Sequence, residues 1–168
     1  VLEEKIFLPG NVERKQKVRL GFSGEVIAIQ LDKKNRSGSS DPLFHFFEDN
    51  AKPWSKRCDY VIFQLLNKKI CVYCIEFKSA SLPESLVDQL KSSEAWCKAV
   101  HSIINLYTGE KKRLHLKKFV LSCMDDPSRF VDDDGYIKRD HNIRHYHYDQ
   151  LTSLKLEDLE NECPVLVG

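Results

Sequence analysis

Residues 58–80 read CDYVIFQLLNKKICVYCIEFKSA, two apolar runs interrupted by LNKK. Val, Ile, Phe, Tyr and Cys dominate both runs, which favours two short strands joined as a β-hairpin. The charges constrain this segment most. Asp59 opens the first run, Glu76 and Lys78 close the second, and the remaining pair, Lys68 and Lys69, lies at the interruption. A charge in or beside a buried strand is costly unless it is paired or metal-bound.

A two-residue loop at Asn67-Lys68 sets Leu66 opposite Lys69. Continuing that register sets Asp59 opposite Glu76 on one side of the sheet, with Cβ atoms about 4.5–5.5 Å apart. Lys78, two residues beyond Glu76, shares their face. A three-residue loop would set Phe77 opposite Asp59 and break the constellation unless a bulge restored it. Two carboxylates this close repel each other unless positive charge lies between them. A hard divalent cation such as Mg²⁺ suits them, because it prefers oxygen ligands and keeps several waters. A lysine beside it could orient or deprotonate a water, or stabilise charge on a phosphate. These are the parts of metal-assisted phosphodiester hydrolysis. The alternative is a cross-strand salt bridge at a sheet end.

The surrounding chain supports one α/β domain over residues 1–168, with its core at about 18–150. Residues 79–107, beginning SASLPESLVDQL, read as a long helix. Ser81 and Glu84 have capping-box spacing and Pro83 falls in the first turn. Leu86, Leu90, Ser93, Cys97, Val100 and Ile104 form a stripe at helical spacing, and Gly109 ends the helix. KKFVLSCM reads as a buried strand, DDPSRFVDDDG as an acidic turn, and YIKRDHNIRHYHYDQL as containing a last strand. A terminal helix is expected from Thr152 or Ser153. Upstream, KVRLGFSGEVIAIQLD reads as a strand pair turning near Gly24, or as a strand leading into a short helix. KKNRSGSSDP reads as a loop, and LFHFFEDN as a strand or a helical turn. A strand–helix–strand unit implies a parallel pair within a mixed sheet.

Asp59, sixteen residues, then Glu76-Phe77-Lys78, with the aspartate opening one strand and Glu-x-Lys closing the next, resembles the PD-(D/E)xK nuclease superfamily. Restriction endonucleases, Holliday-junction resolvases, RecB-type exonucleases and cap-snatching viral endonucleases share that core. The likeness spans residues 55 to 124 by motif and element order, with Cys58 where the family usually has proline. It implies a restriction-endonuclease-like mixed β-sheet flanked by helices. It also implies a Mg²⁺- or Mn²⁺-dependent nuclease, an endonuclease, acting on DNA ahead of RNA. Asp59 and Glu76 would be metal ligands, the Phe77 main-chain carbonyl a third, and Lys78 the catalytic lysine. An upstream acid, Glu48 or Glu25, would complete the site, and Gln89 is the counterpart of a helix residue used in some branches. The alternative is an inactive module that keeps the fold and binds nucleic acid or a partner protein.

Net charge is +1, so a nucleic-acid site must come from local patches. KKRLHLKK reads as a basic loop whose Lys111, Lys112, Arg113, Lys117 and Lys118 either hold phosphates or are simply solvated. Lys56 and Arg57, beside Asp59, are further candidates for the backbone. His141, His145 and His147 suggest a strand edge or a nucleic-acid contact more than zinc, because no cysteine stands at a ligand spacing. Trp54 and Trp96 read as core or core rim. Five of the six cysteines lie in or beside apolar stretches, as reduced cysteines do, so a cytoplasmic or nuclear setting is expected. Cys71 and Cys74 of CVYC, three apart on a strand, would face opposite ways, which disfavours a redox or zinc pair. No run approaches a membrane span and no signal peptide is visible, so no membrane partner is expected. The chain does not start with Met, which suggests a domain cut from a larger protein. A homodimer and other subunits of a larger complex remain options for partners.

Overall fold

The computed structural model describes residues 1–8, 12–33, 53–66, 69–79, 81–152 and 154–159. Glu48, the LFHFFEDN stretch, the hairpin loop at 67–68 and Cys163 lie outside them.

A hairpin of β1 (Leu2–Leu8) and β2 (Val12–Val18) comes first. A mixed six-stranded sheet follows, in the order β3-β4-β5-β6-β8-β7. Its strands are β3 (Glu25–Gln30), β4 (Tyr60–Leu66), β5 (Lys69–Lys78), β6 (Arg113–Ser122), β7 (Tyr136–Ile137) and β8 (Asp140–His147). The pairs β5–β6 and β6–β8 are parallel, and the other pairs are antiparallel. Helix α1 (Ser85–Thr108) is the crossover between β5 and β6.

The central strands β5 and β6 are buried on both sides, which is why ICVYCI and FVLSC are apolar without alternation. On one face Cys74, Val72, Val120 and Ile143 pack under Leu86, Leu90 and Cys97 of α1. On the other, Tyr73, Ile75, Phe119 and Leu121 meet Leu2 and Val18 of the hairpin and Tyr148, Leu151, Leu156 and Leu159. Cys71 and Cys74 divide between the two faces as strand alternation requires, and all five described cysteines are free.

Several expectations are corrected. Among the described residues α1 is the one α-helix, so helices cover one face rather than both. The expected terminal helix is replaced by short 3-10 turns at Tyr148–Leu151 and Leu156–Asp158, whose leucines point into the core. The capping box at Ser81 does not form: α1 starts at Ser85, its cap is Glu84 in a helical conformation, and no side chain caps it. Pro83 accepts the Leu86 N–H through its carbonyl at 3.1 Å instead. Gly109 does end α1, in the left-handed conformation at φ 68° that favours glycine. The helical stripe is buried only through Cys97, and Ile104 is 46% exposed. Gly24 does not turn one strand onto the next. The strands either side of it pair elsewhere, β2 with β1 and β3 with β4. The supposed basic loop is largely strand, because Leu114 and Leu116 alternate with Arg113, His115 and Lys117. Among the described residues no helix is long and apolar enough to cross a membrane.

Candidate active site

The β4–β5 pairing runs from Leu66 opposite Lys69 to Tyr60 opposite Ile75, without a bulge. That is the register of a two-residue loop, and its next step sets Asp59 against Glu76. Both belong to the face covered by α1, since Val61 and Cys74 lie there.

The main chain ties the two carboxylates together. The Asp59 N–H donates to Glu76 Oε2 at 3.1 Å, and the Phe77 N–H donates to Asp59 Oδ2 at 2.6 Å. Lys78 Nζ donates to Glu76 Oε1 and forms an ion pair with it. The ring of Phe77 points to the opposite face, between Tyr60 and Tyr148, and Tyr148 Oη donates to the Lys78 carbonyl at 3.1 Å. The end of β5 is thus anchored from below while Glu76 and Lys78 are presented above.

Helix α1 fixes the entry to β4. Ser93 Oγ accepts the Cys58 N–H at 2.8 Å, Lys56 pairs with Asp88 at 2.8 Å, and Gln89 Nε2 donates to the Arg57 carbonyl at 3.4 Å. Gln89 therefore stands one chain segment from Asp59, and its Oε1 is buried without a hydrogen-bond partner among the described residues. Arg57 is buried and donates to the Ser55 carbonyl, so neither it nor Lys56 is an open surface cation.

Glu76 is 1% exposed. Burial pushes its pKa up to about 7 against the pull of Lys78 and the Asp59 N–H, and the charge of Asp32 pushes it further up. Asp32 reaches this neighbourhood because β3 pairs with β4, and beyond the strand the Leu31 N–H donates to the Asp59 carbonyl at 2.9 Å. Asp32 is the acidic residue the sequence reading missed. A 29-residue separation between Gln30 and Tyr60, which pair in the sheet, hides their contact from local pattern. The visible signal is only an aspartate directly after an apolar strand.

The other candidates lie elsewhere. Glu25 is at the opposite end of β3, exposed and opposite Leu65, near the hairpin turn. Arg113 pairs with Lys69, so Lys111, Lys112 and Arg113 sit at the far end of β5 from Lys78, about 30 Å away at ~3.3 Å per residue. Lys117 and Lys118 point to opposite faces. Lys117 Nζ donates to the Leu159 carbonyl, and Lys118 is buried against Glu94 at 3.0 Å and Asp140 at 3.7 Å. The five basic residues do not make one surface, and Lys118 is part of the interior. Trp54 is 41% exposed beside α1, while Trp96 packs on the core edge-on to Phe63.

Among the described residues no group of three His, Cys, Asp or Glu side chains is arranged as a metal-ligand set. Asp59 and Glu76 form a pair, with Asp32 adding negative charge nearby. Asp59 and Glu76 offer carboxylate oxygens, the donor type that hard divalent cations take. Comparison of the chain with family models, curated proteins and solved structures finds no match.

Proposed function

We propose that this chain is a Mg²⁺- or Mn²⁺-dependent nuclease with a PD-(D/E)xK-type, restriction-endonuclease-like core. Its substrate is nucleic acid, DNA ahead of RNA, cut as by an endonuclease. The observation that carries the reading is the opposition of Asp59 and Glu76 at one sheet end, with Glu76 buried, its pKa raised, and Lys78 on it. A carboxylate whose pKa is shifted by desolvation beside a specific charge partner is a functional-site candidate.

Asp59 and Glu76 would hold the metal, with the Phe77 carbonyl beside them. When bound, the ion supplies positive charge to the phosphate and lowers the pKa of a coordinated water. Lys78 orients the attacking water and supports the negative charge that develops in the reaction. The water oxygen bonds phosphorus in line and gives up its proton to solvent, and the opposite P–O bond breaks to a leaving oxygen that solvent protonates. Burial under α1 keeps bulk water from screening these charges.

A second reading has its own support. Lys78 already neutralises Glu76, as in a structural salt bridge, and an inactive module binding nucleic acid or a partner protein would look the same. Cleavage of labelled single-stranded DNA, duplex DNA and RNA, with Mg²⁺, Mn²⁺ or EDTA, tests both. Metal-dependent cleavage by the parent and none by Glu76→Ala supports the nuclease. Equal cleavage by both overturns the site. Absence of cleavage together with absence of metal binding by calorimetry favours the binding module.

A further inference from the structure

Beyond Glu76, polar groups on the helix-covered face line up across the parallel strands. Lys78 pairs with Ser122, and Ser122 with His147, each the last residue of its strand. Paired residues of neighbouring strands share a face, here the one where Val120 and Ile143 meet α1. In open α/β sheets, ligands bind at the carboxyl ends of the strands.

The middle of this row is buried and tied down. Ser122 Oγ lies 2.8 Å from His145 Nε2 and accepts the Met124 N–H at 3.3 Å, which leaves the hydroxyl hydrogen for the imidazole. Burial holds His145 down to about 4, so it stays neutral. His147 is different. Its own N–H donates to Gln150 Oε1 at 2.7 Å, and its Nδ1 accepts the Asp149 N–H at 3.3 Å, with the Asp149 carboxylate 3.5 Å away. Assigned from that hydrogen bond, the ring hydrogen is on Nε2, the edge with no hydrogen-bond partner among the described residues. The imidazole is therefore fixed at one nitrogen and presents a donor at the other.

We propose that His147 is a substrate-contact residue that donates from Nε2 to the backbone phosphate next to the one held at Lys78, with the Ser122–His145 pair fixing the spacing between them. This rests on the nuclease reading for the identity of its ligand. Two strand spacings separate His147 from Lys78, about 10 Å. That is too far for one phosphate to bridge, but it suits neighbouring phosphates of one strand.

The test is fluorescence anisotropy with the full chain and end-labelled single-stranded DNA and RNA oligonucleotides, followed by steady-state cleavage where it occurs. His147→Ala should weaken binding about tenfold, the size of one charge-assisted hydrogen bond. His147→Gln, which retains a donor, should recover part of the loss, and His141→Ala on the same strand should lose nothing. In cleavage, the loss should fall on KM with kcat held. One neutral methylphosphonate walked along the oligonucleotide should, at a single position, weaken the parent by the same factor and leave His147→Ala unaffected. Binding by His147→Ala within twofold of the parent, or methylphosphonate losses that simply add to the mutation at every position, overturns the proposal. Intact thermal melts of the variants exclude misfolding. If the parent binds but never cleaves, the nuclease reading fails while His147 is still tested by binding. If it cleaves and His147→Ala keeps its KM, the His147 proposal fails alone.

Discussion

Two lysine–carboxylate clusters lie on the helix-covered face of the same sheet, and they are built to opposite ends. Lys118, on β6, is buried between Glu94 of α1 and Asp140 of β8. Burial works against both carboxylates, yet both stay below the ordinary range. Lys98 and Lys118 outweigh it at Glu94, and the Asn142 N–H and Lys118 outweigh it at Asp140. Lys78, on β5, faces Glu76, and there burial wins and the carboxyl rises to about 7. The first cluster is a satisfied ion-pair network. In the second, one lysine stands among Asp59, Glu76 and nearby Asp32. A buried carboxyl raised to about 7 by desolvation beside a lysine is a candidate functional site, and a structural pair at a sheet end is its bland counterpart.

The largest expected effects separate the two clusters by activity. Lys78→Ala should lower metal-dependent cleavage by about 10²–10⁴-fold, the range for loss of a proton-transfer or charge-stabilising group. Lys118→Met should leave cleavage per folded molecule near that of the parent. Stability should show the reverse. Lys118→Met leaves Asp140 without its lysine and Glu94 with Lys98 alone, and should cost about 3 kcal/mol in urea unfolding, the low end for a broken buried pair. Lys78→Met should cost less, because Glu76 can take up a proton instead.

The two clusters should also respond to pH with opposite signs. Glu76 has a folded pKa above its ordinary 4.5, so it costs the fold nothing below that value. Its penalty grows as pH rises from about 4.5 to about 7 and is complete above, on the order of 3 kcal/mol. Glu76→Gln should flatten the stability curve across that window. Glu94 has a depressed pKa, so its contribution is present above 4.5 and is lost as pH falls through its folded value. Denaturant midpoints of Glu94→Gln should therefore converge with the parent only in acid.

A smaller effect sharpens the second cluster. Asp32→Asn removes a charge that pushes Glu76 up, so the Glu76 titration followed by carboxyl NMR should move to lower pH. The smallest effect is expected at Lys111→Ala with Lys112→Ala. These residues lie at the far end of the sheet, and removing them should reduce the salt slope of nucleic-acid binding by no more than about one per lysine. A drop in cleavage as large as that of Lys78→Ala would show that the basic end belongs to the site after all.

Much of this was legible in the residues because it depends on period and register. The hairpin brings Asp59, Glu76 and Lys78 together by the alternation of strands and one turn length, which are local rules. The parallel β5–β6 pair follows from two apolar runs around a helix closed by Gly109. Charge runs misled where periodicity was overlooked. RLHLKK looks like a solvated basic loop, but Leu114 and Leu116 alternate with its polar residues, and that alternation is a strand's. Serine-led capping at Ser81 was a local preference that does not form, since α1 starts at Ser85 with Glu84 as its cap.

The sequence by itself determined the hairpin, its register and the three charges that register collects, because each depends on residues within about twenty positions of one another. Only the tertiary structure decided that Asp32 presses on Glu76, that Lys118 is satisfied by Glu94 and Asp140, and that His147 continues the row from Lys78. Those contacts join segments far apart in the chain. They form only when separate strands choose neighbours, a choice made by the burial of two whole sheet faces and not by any local pattern.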